Sequence, residues 1–163
     1  MPTPEERLAR LEAIEQIKAL KHRYLRACDA KRPDEFRDCF VADGALIDYG
    51  PSLGKFEDAD GIAEVFSRLA LRRVDDKVVI LDMHHAVHPD ISLESETEAT
   101  GRWTLRLRQV NLLDRTERVS AIEYADRYVV EGGAWRIASC EVTVLWTLAK
   151  PLPEGFVITE SFS

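Results

Sequence analysis

Three observations predict an α+β fold in which helices cover one face of a curved antiparallel sheet. Up to about residue 70 the apolar residues recur at spacings of three and four. From Lys77 onward, four long segments alternate with a two-residue period. Acidic or Gly-Gly turns join those segments, so the strands pair in succession rather than cross over.

At 163 residues the chain has the size of one domain. Its 45% hydrophobic and 31% charged residues are those of an ordinary globular protein. The formal net charge of −7 argues against a nucleic-acid partner or an anionic membrane surface. No apolar run approaches the ~20 residues that a bilayer-spanning helix needs. The polar start, Met1-Pro-Thr-Pro-Glu-Glu, does not read as a signal peptide. Three scattered cysteines, Cys28, Cys39 and Cys140, form neither a disulfide framework nor a zinc cage. The expected setting is reducing and cytoplasmic.

The first helix opens at Thr3 or Pro4 and carries one apolar stripe: Leu8, Leu11, Ile14, Ile17, Leu20 or Tyr24, and Cys28. Acidic residues lie early and basic ones late, as the helix dipole prefers. The stripe fades at Asp29, and Pro33 bars a continuous helix. A short helix over 35–40 follows, then a turn at Ala42-Asp-Gly44 and a short strand over 45–49. Residues 50–58 read as loop, with a small arm around Phe56. Asp58 or Asp60 caps a third helix bearing Ile62, Val65, Phe66 and Leu69. Strands are expected over 77–95, 97–111, 117–130 and 134–148, with Glu131-Gly-Gly133 as the clearest hairpin turn and Pro89 marking a bend or bulge. One domain over 1–150 and an extended tail over 151–163 complete the expectation.

Alternation in the second long strand is clean: Ala99, Gly101, Trp103, Leu105 and Leu107 oppose Thr100, Arg102, Thr104, Arg106 and Arg108. In the third, Ile122, Tyr124, Tyr128 and Val130 share a face with Asp126. In the last, Trp135 and Ile137 lie opposite Cys140, Val142 and Trp146, and phase alone leaves the core side open. Partly apolar faces on both sides of a sheet need two covers. Helices supply one, and an identical subunit is the simplest second.

In the first long strand Val79, Leu81, Met83, His85 and Val87 form one row, and Asp82, His84, Ala86 and His88 the other. One imidazole, His85, thus interrupts an apolar row, and burying it demands a partner. The candidates near the end of the first helix are His22, Tyr24 and Asp29. Tyr24 continues the stripe, and Asp29 lies about 140° further round an ideal helix, so both face one cavity only if the helix ends there.

The set Ile17-Lys-x-Leu-Lys-x-Arg-Tyr24-x-x-x-x-Asp29, Phe40-x-x-Asp-Gly-Ala, Met83-His-His85-x-x-x-Pro89-x-Ile, Ala99, Tyr124-x-Asp126 and Gly-x-Trp135-Arg-Ile137 resembles the SnoaL-like proteins of the nuclear-transport-factor-2-like superfamily. The nearest branch is that of scytalone dehydratase, bile-acid 7α-dehydratase and hexachlorocyclohexane dehydrochlorinase. The resemblance implies a cone-shaped α+β barrel with an apolar pocket, assembled as a trimer or dimer. It also implies a dyad of Asp29 and His85, with Tyr24 as a polar pocket group.

Such a dyad fits a lyase that needs no cofactor and no metal. Asp29 would orient His85, which would take a proton from carbon in a small hydrophobic, cyclic hydroxy or keto substrate. Tyr49, Trp103, Tyr124 and Phe66 are the expected substrate-binding residues. Where some relatives place an arginine late in the last strand, this chain reads Cys140-Glu141. His84, His85 and His88 cannot converge on a metal from one strand without a sharp bend. Two alternatives stand beside the lyase. One is a non-catalytic binding or scaffold subunit, like the small subunit of ring-hydroxylating dioxygenases. The other is an isomerase or cyclase using Asp48 or Asp126 as base.

Overall fold

The computed structural model describes residues 1–159. Helix α1 (Pro4–Asp29) begins with a capping box, in which Thr3 and Glu6 each bond the other's backbone N–H. Short helices α2 (Pro33–Arg37) and α3 (Gly50–Leu53) and the longer α4 (Ala59–Ala70) follow, the last capped by Asp58 onto the N–H of Gly61. The strands are β1 (Leu46–Asp48), β2 (Lys55–Phe56), β3 (Arg73–Val74), β4 (Lys77–Val78), β5 (Ile80–Leu93), β6 (Glu98–Asn111), β7 (Thr116–Glu131) and β8 (Ala134–Pro151).

Six strands form one sheet in the order β2-β1-β8-β7-β6-β5, and β3 and β4 form a separate ribbon. Pairing is antiparallel except between β1 and β8, which makes the sheet mixed. The sheet curls without closing into a barrel, leaving β2 and β5 as its edges. Its inner face and the helices share one core, in which Ile17, Leu20, Tyr24, Phe36 and Phe40 meet Trp103, Leu105, Tyr124, Tyr128 and Ile137. Gly101 lies on that face because a Cβ there would stand 2.8 Å from the ring of Tyr128.

Two bulges decide the phases that alternation left open. Across β7 and β8, Arg127 faces Ser139 while Tyr128 faces Ile137, so Ala138 is an extra residue. That insertion brings Trp135, Ile137 and Cys140 all to the inner side, where each is buried. Across β5 and β6, Val87 faces Thr104 but Asp90 faces Arg102, and His88 takes a left-handed φ of 53°. The His88-Pro89 bulge therefore reverses the parity of β5. Ile91 and Leu93 point inward beyond it, whereas Asp82, His84 and Ala86 point inward before it.

The expected row of Val79, Leu81, Met83, His85 and Val87 is accordingly corrected. Val79 is buried ahead of the strand, but Met83 and Val87 are 47% and 44% exposed on the outer face. Leu145, Trp146 and Leu148, near the end of β8, are also exposed. The first two turns of α1 differ from the expected stripe as well, with Leu8 and Leu11 exposed beyond the body of the domain. Beyond Pro151 the chain carries no strand as far as Thr159, and the rest of the expected tail lies outside the described residues.

Candidate active site

The inward parity of β5 before its bulge places His84, not His85, against the end of α1. As an edge strand, β5 has backbone N–H groups without a ladder partner. The N–H of His84 donates instead to the Asp29 carboxylate, at 3.2 Å to Oδ1 and 3.1 Å to Oδ2. Nδ1 of the same residue lies 2.5 Å from Oδ1. An ionised carboxylate only accepts, so Nδ1 is the donor, and in the neutral ring the lone pair is then on Nε2. No described residue bonds Nε2. The pair is sheltered but reachable, with side chains 11% exposed at His84 and 31% at Asp29.

Asp29 reaches β5 because the helix stops there. Ala30 is the C-cap and Lys31 follows with a left-handed φ of 60°, a conformation that costs a non-glycine residue about 1 kcal/mol. Lys31 is nevertheless buried, its ammonium donating to Oδ2 of Asp82 at 2.5 Å. Oδ1 of Asp82 accepts from Gln109 at 2.9 Å, its register partner on β6.

Deeper in the core lies a second polar group. Lys21 and Asp126 form an ion pair at 2.7 Å with both side chains fully buried. The Lys21 ammonium sits 3.6 Å from the ring centre of Tyr124 and 4.6 Å from that of Tyr24. Asp126 also accepts from the Tyr128 hydroxyl at 2.7 Å, and Tyr128 accepts from the Trp103 indole at 3.0 Å. Tyr24 and Tyr49 share a hydrogen bond between their hydroxyls.

The residues expected in the site therefore divide. Asp29 lies at the end of α1 and faces β5. Its partner is corrected from His85 to His84, because His85 lies on the outer, exposed face of β5, opposite Arg106. Tyr24, Tyr49 and Tyr124 gather in the aromatic core. Phe66 reaches that core through Phe36, at 5.1 Å between ring centres, and Trp103 stands against His22 and Tyr128. The cleft that opens on Asp29, about 810 Å³, is lined by His22, Arg23, Arg26, Arg32 and Glu35. The expected apolar lining is thus replaced by a charged one at this mouth.

All four tyrosines of the chain, Tyr24, Tyr49, Tyr124 and Tyr128, are held well above the ordinary phenol range, chiefly because burial disfavours the phenolate. Burial thus favours the neutral phenol in all four. A raised folded pKa means that their contribution to stability is complete below pH 10, the unfolded value, and falls as the pH rises beyond it. An alkaline titration should show no tyrosinate absorbance around pH 10 until unfolding, then all four residues together. A gradual rise in the folded protein would show that at least one hydroxyl is open to solvent.

The family model for the SnoaL-like domain matches residues 9–141, from the second turn of α1 into β8. The chain belongs to the SnoaL-like family. Solved structures share the fold of this SnoaL-like chain at low identity. A candidate scytalone dehydratase from Novosphingobium aromaticivorans is similar at a TM-score of 0.76 and 19% identity, over 92% of this chain and 98% of that one. Hexachlorocyclohexane dehydrochlorinase LinA-type3 from Novosphingobium barchaimii has a TM-score of 0.74 and 16% identity, over 94% and 99%. A candidate aromatic ring hydroxylase from Novosphingobium aromaticivorans has a TM-score of 0.72 and 17% identity, over 86% and 94%.

Proposed function

We propose that this SnoaL-like protein is a lyase of the dehydratase kind that needs no cofactor, with Asp29 and His84 as its working pair. The observation that carries the reading is the double hold of Asp29 on His84, through the backbone N–H and Nδ1. That hold fixes the tautomer and leaves Nε2 as a base. The elimination it suits starts with Nε2 taking a proton from a carbon next to a carbonyl. The C–H electron pair forms the new double bond, and the C–O bond to the hydroxyl breaks. The imidazolium, stabilised by Asp29, returns the proton to the departing oxygen, so water leaves and the base is regenerated.

Negative charge that develops on the carbonyl oxygen needs a donor. Tyr24 and Tyr49 bond each other through their hydroxyls, which leaves one of the pair a proton to donate on the inner side, and Arg23 and Arg26 line the cleft at Asp29. The substrate in this reading is a small, hydrophobic, cyclic hydroxy-ketone. The likeness in fold to a candidate scytalone dehydratase and to a dehydrochlorinase supports elimination chemistry.

The alternatives have less support. An isomerase using Asp126 would need a free carboxylate, but Asp126 is neutralised by Lys21 and bonded by Tyr128. Asp48 is held below its usual range by the Lys55 ammonium and the Gly50 N–H, which makes it a weaker base. A purely scaffolding subunit has no use for a histidine oriented by a carboxylate. The test is a panel of alicyclic and aromatic β-hydroxy-ketones, followed by the absorbance of the conjugated enone. Turnover that depends on Asp29 is expected, and turnover indifferent to Asp29→Asn would remove the reading.

A further inference from the structure

We infer that Lys31 and Asp82 are positioning residues: Asp82 occupies the Lys31 ammonium and so keeps Asp29 free for His84. The inference rests on the proposed role of the Asp29–His84 pair and adds the device that protects it.

The end of α1 and strand β5 are joined by two polar rungs of matching offset. Asp29 meets His84, and two residues later on one side and two earlier on the other, Lys31 meets Asp82. Lys31 is the cation placed nearest to Asp29 along the chain, and its side chain is only 3% exposed, so water cannot satisfy it. A buried ammonium with no carboxylate of its own would take the next one, and Asp29 is two residues away. Cys28 shows how close these charges lie: Asp82, Asp29 and Lys31 all act on its thiol. The register partners on β6 at this level are apolar. They are Leu105 and Leu107 on β6, with Gln109 beyond them holding Asp82 from the other side. Lysine also sits where a left-handed backbone favours glycine, so its side chain is what the position keeps.

The test reads the hydrogen-bonded Nδ1 proton of His84 by NMR on the full chain labelled at histidine nitrogen, assigned by its loss in His84→Gln. No substrate is needed, so a protein that turned over nothing would fail the proposed function while leaving this measurement valid. Asp82→Asn should abolish the resonance as Lys31 turns to Asp29. Lys31→Met should keep it, and the double variant Lys31→Met/Asp82→Asn should restore it. That rescue separates charge from structure, because a merely structural pair would leave the double variant at least as impaired as the single. Asp82→Glu, which keeps the carboxylate, should preserve the signal. Should Asp82→Asn not fold, Gln109→Ala serves in its place, loosening Asp82 with all charges kept and partly losing the resonance. An unchanged resonance in Asp82→Asn, or a double variant as silent as the single, would overturn the inference.

Discussion

Replacing His84 by glutamine should reduce turnover by about 10²- to 10⁴-fold, the usual contribution of a positioned general base. The same change at His85 should have no measurable effect. The two residues are neighbours in sequence and differ in parity: His84 faces Asp29 and His85 faces outward beside Arg106. Asp29→Asn should fall nearly as far for a different reason. The asparagine amide can place its oxygen on the His84 N–H, but its NH₂ then faces Nδ1 and makes that nitrogen the acceptor. The proton moves to Nε2, and the ring no longer has its lone pair where the substrate proton is. Circular dichroism and melting should stay near the wild type in His84→Gln, since the site is partly open and few core contacts are lost. Equal losses at His84 and His85, or activity retained in His84→Gln, would remove His84 from the chemistry.

The contrast between the two histidines also shows where the sequence was legible. Helix α1 ends at Asp29, as the fading stripe and Pro33 indicate, and the inner faces of β6 and β7 follow their alternation residue by residue. The parity of β5 was not legible in its apolar pattern. Its outer row, Leu81, Met83 and Val87, is more apolar than its inner row, Asp82, His84 and Ala86, so hydrophobicity pointed the wrong way. Sites break the apolar pattern because their chemistry needs polar groups inside. The correcting signal was present in Pro89. Counting back from Leu93 opposite Ala99, a bulge at His88-Pro89 turns Asp82 and His84 inward. The pairing of Lys31 with Asp82 had no such signal, because it depends on where the chain goes after the helix ends.

Substituting Lys21 by methionine should destabilise the protein by about 3–5 kcal/mol, the cost of leaving a buried charge without its partner. For a domain of this size that lowers the melting temperature by on the order of 10 °C. Lys21 occupies a stripe position of α1 between Ile17 and Tyr24, and Asp126 occupies an inner-row position of β7 between Tyr124 and Tyr128. One lysine on an apolar stripe and one aspartate on an apolar row are each unfavourable alone, and the fold places them against each other. Removing the cation leaves the buried Asp126 carboxylate without a counter-charge, with the Tyr128 hydroxyl still donating to it. The double variant Lys21→Met/Asp126→Leu should recover much of the loss, since no charge is then stranded, though the Tyr128 hydroxyl would lose its acceptor. The coupling energy from thermal or urea unfolding of the four proteins is the measurement. Additive losses would mean that the two charges do not stabilise each other across α1 and β7. A large coupling would mean that the two charges, one on α1 and one on β7, stabilise each other across the core.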